Sequence, residues 1–206
     1  MITEEQKQQY LNEGFFILES VISDDHQKIL RNACDYLIDA MHAEMDRLGT
    51  DHIHISHRGK RYHIAKKHDQ APRLSEFVFG DLMAEICRAT IGDQAFLFYD
   101  QYVVKAAEKG MPFSWHQDSG YTETIPLAYI TCWTAISDSN LENGGIWVLP
   151  KSHKWGVLEH GSEEPNQQVY GGLRAKFSDD SNAIPVEMKA GQVAIFSSLT
   201  LHMSGP

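Results

Sequence analysis

The residues best equipped for chemistry sit in Trp115-His116-Gln117-Asp118. On a strand, side chains two apart project from the same face, so His116 and Asp118 point together as two ligands of one metal ion should. The same spacing in His42-Ala-Glu44 falls on an expected helix, where positions i and i+2 do not share a face. Short matches of this kind arise by chance in a chain with 11 histidines and 28 acidic residues, so the pair needs a third partner. His202, in Leu201-His-Met-Ser-Gly-Pro206, follows a late strand and can approach from another strand of a sandwich. Two imidazoles and one carboxylate on one face of a metal leave three positions open, the facial arrangement of non-haem Fe(II) oxygenases. A 2-oxo acid would chelate through two of those positions and O2 would take the third. A closed structural zinc site calls for four protein ligands, usually with cysteine, and Cys34, Cys87 and Cys132 lie far apart in the chain.

Positioning such residues requires strands, and the chain divides accordingly. Its first part, about 1–94, reads as helical. Thr3-x-x-Gln6 is a capping box with Gly14 as the stop. Phe15-Phe-Ile-Leu18 is a short buried strand. Ser23 caps a longer helix on which Ile29, Ala33, Leu37, Met41, Met45 and Leu48 recur at helical spacing until Gly49. Residues 51–72 are polar and rich in histidine, and read as a loop or insertion; a third helix is expected from about 75 to 90. From Ala95 onward short β-branched and aromatic runs alternate with turn residues. These runs span 96–106, 113–117, 127–136, 145–149, 186–188, 192–196 and 201–203, the pattern of a sandwich or barrel. Residues 159–183 read as a long polar loop, of the kind that forms lids.

Composition excludes several classes of partner. A chain of 206 residues is expected to form a single domain at about 100–200 residues per domain. Its net charge of −10 argues against nucleic acid or an anionic membrane surface as the main partner. No apolar run reaches the roughly 18 residues of a membrane span. The polar, acidic start predicts no secretory leader, and 3 widely spaced cysteines fit a reducing, cytoplasmic setting. The basic residues Arg58, Lys60, Arg61, Lys66 and Lys67 form a local positive cluster in an acidic chain. It reads either as a solvated loop or as an anchor for an anionic substrate, with Arg58 and Arg61 as the contacts. His52-x-His54 in the same stretch is weighed as a second metal site and set aside for want of nearby cysteine or carboxylate ligands.

The ordered set Trp115-His-Gln-Asp-Ser-Gly-Tyr121, Cys132-Trp-Thr-Ala-Ile-Ser-Asp138, Glu142-Asn-Gly-Gly-Ile-Trp-Val-Leu-Pro-Lys-Ser-His-Lys154 and Leu201-His-Met-Ser-Gly-Pro206 resembles the phytanoyl-CoA dioxygenase family over nearly the whole chain. The opening Glu13-Gly-Phe-Phe-Ile-Leu18 also looks like that family's entry. The resemblance implies an α+β, mainly β fold: a double-stranded β-helix (jelly-roll, cupin-like) core over about 95–206, with N-terminal flanking helices. It implies Fe(II) held by His116, Asp118 and His202, with 2-oxoglutarate and O2 as cosubstrates, and hydroxylation of a small molecule with release of succinate and CO2. Asp118 argues against the related halogenases, which lack the carboxylate ligand. By the same resemblance Trp133 lines the cosubstrate pocket and Ser204 binds the 2-oxoglutarate carboxylate. Gln101 and Lys105, alternating onto one strand face, touch cosubstrate or substrate, and Tyr121 borders the entrance. Lys151 stands where relatives usually have glycine.

Two other readings stay open on the residues alone: a cupin-like metalloenzyme without 2-oxoglutarate, and a non-catalytic jelly-roll binding module. The family's arginine for the far carboxylate of 2-oxoglutarate should follow the distal histidine, and none follows His202. Gly205-Pro206 reads as a turn between strands, so the native chain is expected to continue into a strand carrying that arginine. Lys105 and Arg174 are the alternative anchors.

Overall fold

Local signals set the first elements. Helix α1 (Glu4–Glu13) begins at Thr3, whose hydroxyl accepts from Gln6 N at 3.2 Å while Gln6 Oε1 accepts from Thr3 N at 2.9 Å. It ends at Gly14, whose φ of +89° lies in the left-handed region that glycine enters without steric cost. Strand β1 (Phe15–Leu18) leads to α2 (Asp24–Leu48), capped by Ser23 and closed by Gly49. The structure, a computed structural model, describes residues 2–106, 111–162 and 173–206.

The expected loop at 51–72 is instead largely a meander: β2 (His52–Ile53), β3 (Ser56–His57) and β4 (Arg61–Ala65). The reason is alternation within Arg61–Ala65. Tyr62 and Ile64 turn into the core, and the whole strand pairs antiparallel with β5 (Gln101–Lys105). The single helix expected at about 75–90 is two, α3 (Leu74–Val78) and α4 (Asp81–Thr90). They break at Gly80, which has extended backbone, where a Cβ would stand 2.8 Å from Glu76 O.

The remaining strands are β6 (Phe113–His116), β7 (Ile130–Thr134), β8 (Ile146–Val148), β9 (His160–Ser162), β10 (Leu173–Ala175), β11 (Ile184–Val186), β12 (Val193–Ser197) and β13 (His202–Ser204). Among the described residues all strand pairings are antiparallel. The sheets run β1-β12-β7, β11-β8-β13-β6 and β2-β3-β4-β5, with β9 and β10 as a separate pair. That pair falls within the long loop expected at 159–183; its connection, residues 163–172, where the lid was expected, lies outside the described residues. The strand expected from 96 begins only at Gln101.

The β1-β12-β7 sheet is buried on both faces. One face, Phe16, Leu18, Val193 and Ile195, packs with Leu30, Ala33 and Leu37 of α2 and with Tyr62, Ile64, Phe77 and Ile86. The other, Phe15, Ala194 and Phe196, packs with Ile146, Val148 and Val186 of the opposing sheet. Each buried Val, Leu, Ile or Phe among them contributes about 1.5–3 kcal/mol by leaving water. The architecture is thus mixed helix and sheet, a helical layer over one face of stacked antiparallel sheets. Among the described residues no helix is long and apolar enough to cross a membrane. Lys151 has φ +68°, a left-handed backbone that explains a preference for glycine at that turn.

Candidate metal and cosubstrate site

His116 closes β6 and His202 opens β13, directly opposite each other in the antiparallel ladder. Their rings lie 4.1 Å apart between centroids. Asp118 follows on a short turn, Asp118–Gly120. Its Oδ1 is 3.9 Å from His116 Nε2 and 3.6 Å from His202 Nε2, and one ligand atom from each residue lies within 4.8 Å of the others.

The backs of the three groups are fixed. His116 Nδ1 faces Ser114 O at 2.7 Å and His202 Nδ1 faces Thr200 O at 3.0 Å. A carbonyl only accepts, so both Nδ1 atoms carry a proton, and both Nε2 atoms face Asp118. Burial, and then the neighbouring His202, push the His116 pKa far below the ordinary imidazole value, which keeps that ring in its neutral, metal-binding form. Thr131 Oγ1 donates to Asp118 Oδ2 at 2.5 Å, leaving Oδ1 directed at the imidazoles. The types of donor and their convergence therefore suit a divalent transition metal, which would draw the three atoms closer together.

The connection before His202 is pinned as firmly. Ser119 N donates to Ser198 O, Ser119 Oγ lies 2.8 Å from Ser198 Oγ, and Thr200 Oγ1 donates to Gly14 O at 2.9 Å. Beneath the site Trp115, Leu149, Ala175 and Leu201 form a small buried cluster.

The other expected residues divide. Lys105 Nζ donates to Ser204 Oγ at 2.8 Å and also to Gly205 O. Burial, with Arg61 nearby, pulls the Lys105 pKa down to about 8. Trp133 is half-buried against the core between the two stacked sheets, on the same face of β7 as Thr131. Tyr121 stands edge-on to His116 at 5.5 Å, its hydroxyl 3.0 Å from Leu173 N. Gln101 shares a face with Lys105 but sits about 13 Å along the strand, accepting from His63 Nε2 at 2.8 Å.

The basic cluster is not the open patch the sequence predicts. Arg58 is ion-paired to Asp46 at 2.5 Å and Asp51 at 3.0 Å. Arg61 is 0% exposed, donating to Ile55 O and Pro112 O with its guanidinium 4.6 Å from the Phe113 ring centre. Pairing of β4 with its neighbours removes Arg61 as a contact for a substrate arriving from solvent, whereas Arg58, in the turn between β3 and β4, stays partly exposed with its charge engaged by Asp46 and Asp51.

Three residues of the site escape sequence reasoning. Thr131 leaves only the trace of a hydroxyl on an inward strand position. Gln117 and His160 leave none, because their partners are distant in sequence.

Fold and site together define a class: oxygenases that use non-haem Fe(II), 2-oxoglutarate and O2. Residues 10–206 match the family model for phytanoyl-CoA dioxygenase (PhyH), and the chain belongs to that family. It is 25% identical to the phytanoyl-CoA dioxygenase domain-containing protein 1 homolog of Dictyostelium discoideum, covering 100% of this chain and 86% of that one. It is 24% identical to the ectoine dioxygenase of Bordetella bronchiseptica, over 98% of this chain and 70% of the relative. Among solved structures it shares the fold of EvdO2 from Micromonospora carbonacea var. aurantiaca complexed with 2-oxoglutarate. There the TM-score is 0.77 and the identity 24%, over 100% of this chain and 85% of that chain.

Proposed function

We propose that His116 Nε2, His202 Nε2 and Asp118 Oδ1 hold the Fe(II), and that the enzyme hydroxylates a small molecule. The observation that carries this reading is the convergence of those three atoms within 4.8 Å, each with its opposite atom already hydrogen-bonded. The stacked sheets are read as the two faces of a jelly roll, and the free cysteines support a cytoplasmic setting. When bound, the iron supplies oxidative decarboxylation of 2-oxoglutarate to succinate and CO2, with one oxygen atom of O2 passing to the substrate.

The chain's own residues bind and orient. Lys105 and Ser204 receive the far carboxylate. Ser204 lies two residues along β13 from His202, roughly 7 Å, a span that suits a five-carbon diacid. Lys105 is a half-buried cation whose described partners are neutral oxygens and the face of Phe113, so a carboxylate gains the charge partner it lacks. Trp133 walls the cosubstrate pocket, and Phe196, 4.7 Å from His202 between ring centres, screens the site from water. Tyr121 stands at the substrate entrance; Gln101, engaged by His63, serves the outer end of that face. Relatives named for ectoine and for hypophosphite each match 98% of this chain, so the family likeness does not select one substrate.

The test is succinate formation by purified protein given Fe(II), ascorbate and 2-oxoglutarate, alongside iron analysis. Wild type should bind about one Fe(II) per chain, and Asp118→Ala should lose both iron and succinate. Full iron occupancy in Asp118→Ala would refute the ligand assignment.

A further inference from the structure

Between the two ligands of the His116–Asp118 pair lies a glutamine that does not face the metal. Gln117 is 0% exposed, and its amide is saturated by distant backbone. Nε2 donates to Gly156 O at 2.8 Å and to Leu199 O at 2.7 Å, and Oε1 accepts from Leu158 N at 2.8 Å. Its backbone N donates to His160 Nε2 at 3.0 Å, and His160 Nδ1 in turn faces Leu158 O at 2.8 Å. Leu199 stands three residues before His202. A single side chain thus ties the segment bearing two of the ligands to the turn that delivers the third and to Gly156 and Leu158, which lead into β9, while the Gln117 backbone N reaches β9 itself at His160.

We propose that Gln117, backed by His160, is a positioning residue that sets the distance between the two arms of the metal triad and couples that distance to the β9–β10 pair. The inference rests on the ligand assignment above. The chemistry of the amide supports it. A carboxylate at 117 would present no donor to Gly156 O and Leu199 O, and a leucine would leave both carbonyls and Leu158 N unsatisfied in a buried place. His160 has little freedom to drift. A Cβ on Gly120 would overlap its ring, so glycine there admits the imidazole against the Asp118 turn. On the far side Tyr121 reaches Leu173 of β10 through its hydroxyl. The turn from Gln117 to Tyr121 is therefore bonded to β10 at one end and, through His160, to β9 at the other. Displacement of that strand pair must move the metal ligands or break these bonds.

The experiment compares Gln117→Glu, Gln117→Leu, His160→Leu and His160→Gln with wild type under anaerobic conditions. It reads Fe(II) dissociation constants, the visible charge-transfer band of the Fe(II)–2-oxoglutarate complex, and the melting temperature of the metal-free protein. Gln117→Glu, nearly identical in shape, should weaken Fe(II) binding by at least about tenfold and shift the band. His160→Leu should do the same to a smaller degree. His160→Gln, whose amide oxygen can take the place of Nε2, should recover most of the loss. If the Gln117 variants fail to fold, the two His160 variants decide. Loss in Leu with recovery in Gln supports the proposal, and equal binding by both overturns it. A lowered melting temperature with Fe(II) affinity and band unchanged also overturns it, since packing alone would do that. Asp118→Ala is measured in parallel. Normal binding by the Gln117 variants beside a dead Asp118→Ala overturns the brace alone, whereas normal binding by Asp118→Ala overturns the ligand assignment and the brace with it.

Discussion

Thr131 is placed to govern the proposed metal site through Asp118. Its hydroxyl holds Asp118 Oδ2 and so decides which oxygen faces the histidines. Thr131→Val keeps the shape and deletes the donor, leaving a carboxylate free to turn. The expected result is Fe(II) affinity reduced by about tenfold, measured by anaerobic titration. Lys105 gives a second test, through pH. Burial lowers its pKa to about 8, and the cation is the form that attracts a carboxylate. The kcat/KM for 2-oxoglutarate should therefore hold below that value and fall as pH rises through it. Lys105→Met should raise KM for 2-oxoglutarate more than it lowers kcat, and should abolish this alkaline decline. Lys105→Arg, with a cation that does not titrate in this range, should keep activity flat across it.

The elements bear unequal loads in bringing these groups together. Gly14 ends α1 in a left-handed conformation, and a Cβ there would meet His153 and stand 2.7 Å from Thr200 Oγ1. Thr200 is also the residue whose carbonyl orients His202. Gly14→Ala should therefore cost at least about 1–2 kcal/mol from backbone strain, lowering the melting temperature by roughly 2–8 °C at this chain length. Thermal denaturation reads it directly, and weakened Fe(II) binding should accompany it.

The contrast between elements also marks what is legible before any coordinates. Helices α1 and α2 are, because Thr3, Ser23, Gly14 and Gly49 act within one turn of themselves. The spacing of His116 and Asp118 is legible for the same reason, and His202 only by its place after a late strand. The strands at 52–65 are not: they are two to five residues long and carry histidine and arginine, and their stability comes from pairing with β5, some 40 residues on. Arg61 illustrates the error this causes, since a charge that reads as solvated is fully buried once its strand pairs. The amide of Gln117 is equally silent, its role existing only where loops at 156–158 and 199 meet.

At the scale of the whole molecule, the metal and the fold are linked. The proposed ligands come from two strands and the turn after one of them, so a bound ion would join β6 to β13 in the native state and would have no such site in the unfolded chain. Fe(II) at a hundredfold excess over its dissociation constant should add about 2.7 kcal/mol, or roughly 5–10 °C in melting temperature for a chain of this length. Anaerobic thermal melts with and without the metal measure it, and Asp118→Ala should show no such rise.

The placement of His202 opposite His116, with β8 on the other side of β13, has a consequence for assembly. Neighbouring strand positions face opposite ways, so sliding β13 by a single residue would turn His202 away from the site and Met203 into it. A chain that closed in that wrong alignment would offer only two of the three proposed ligands. With only two of the proposed ligands in place, misaligned chains should bind Fe(II) weakly, so the iron content of a preparation should fall as their share rises.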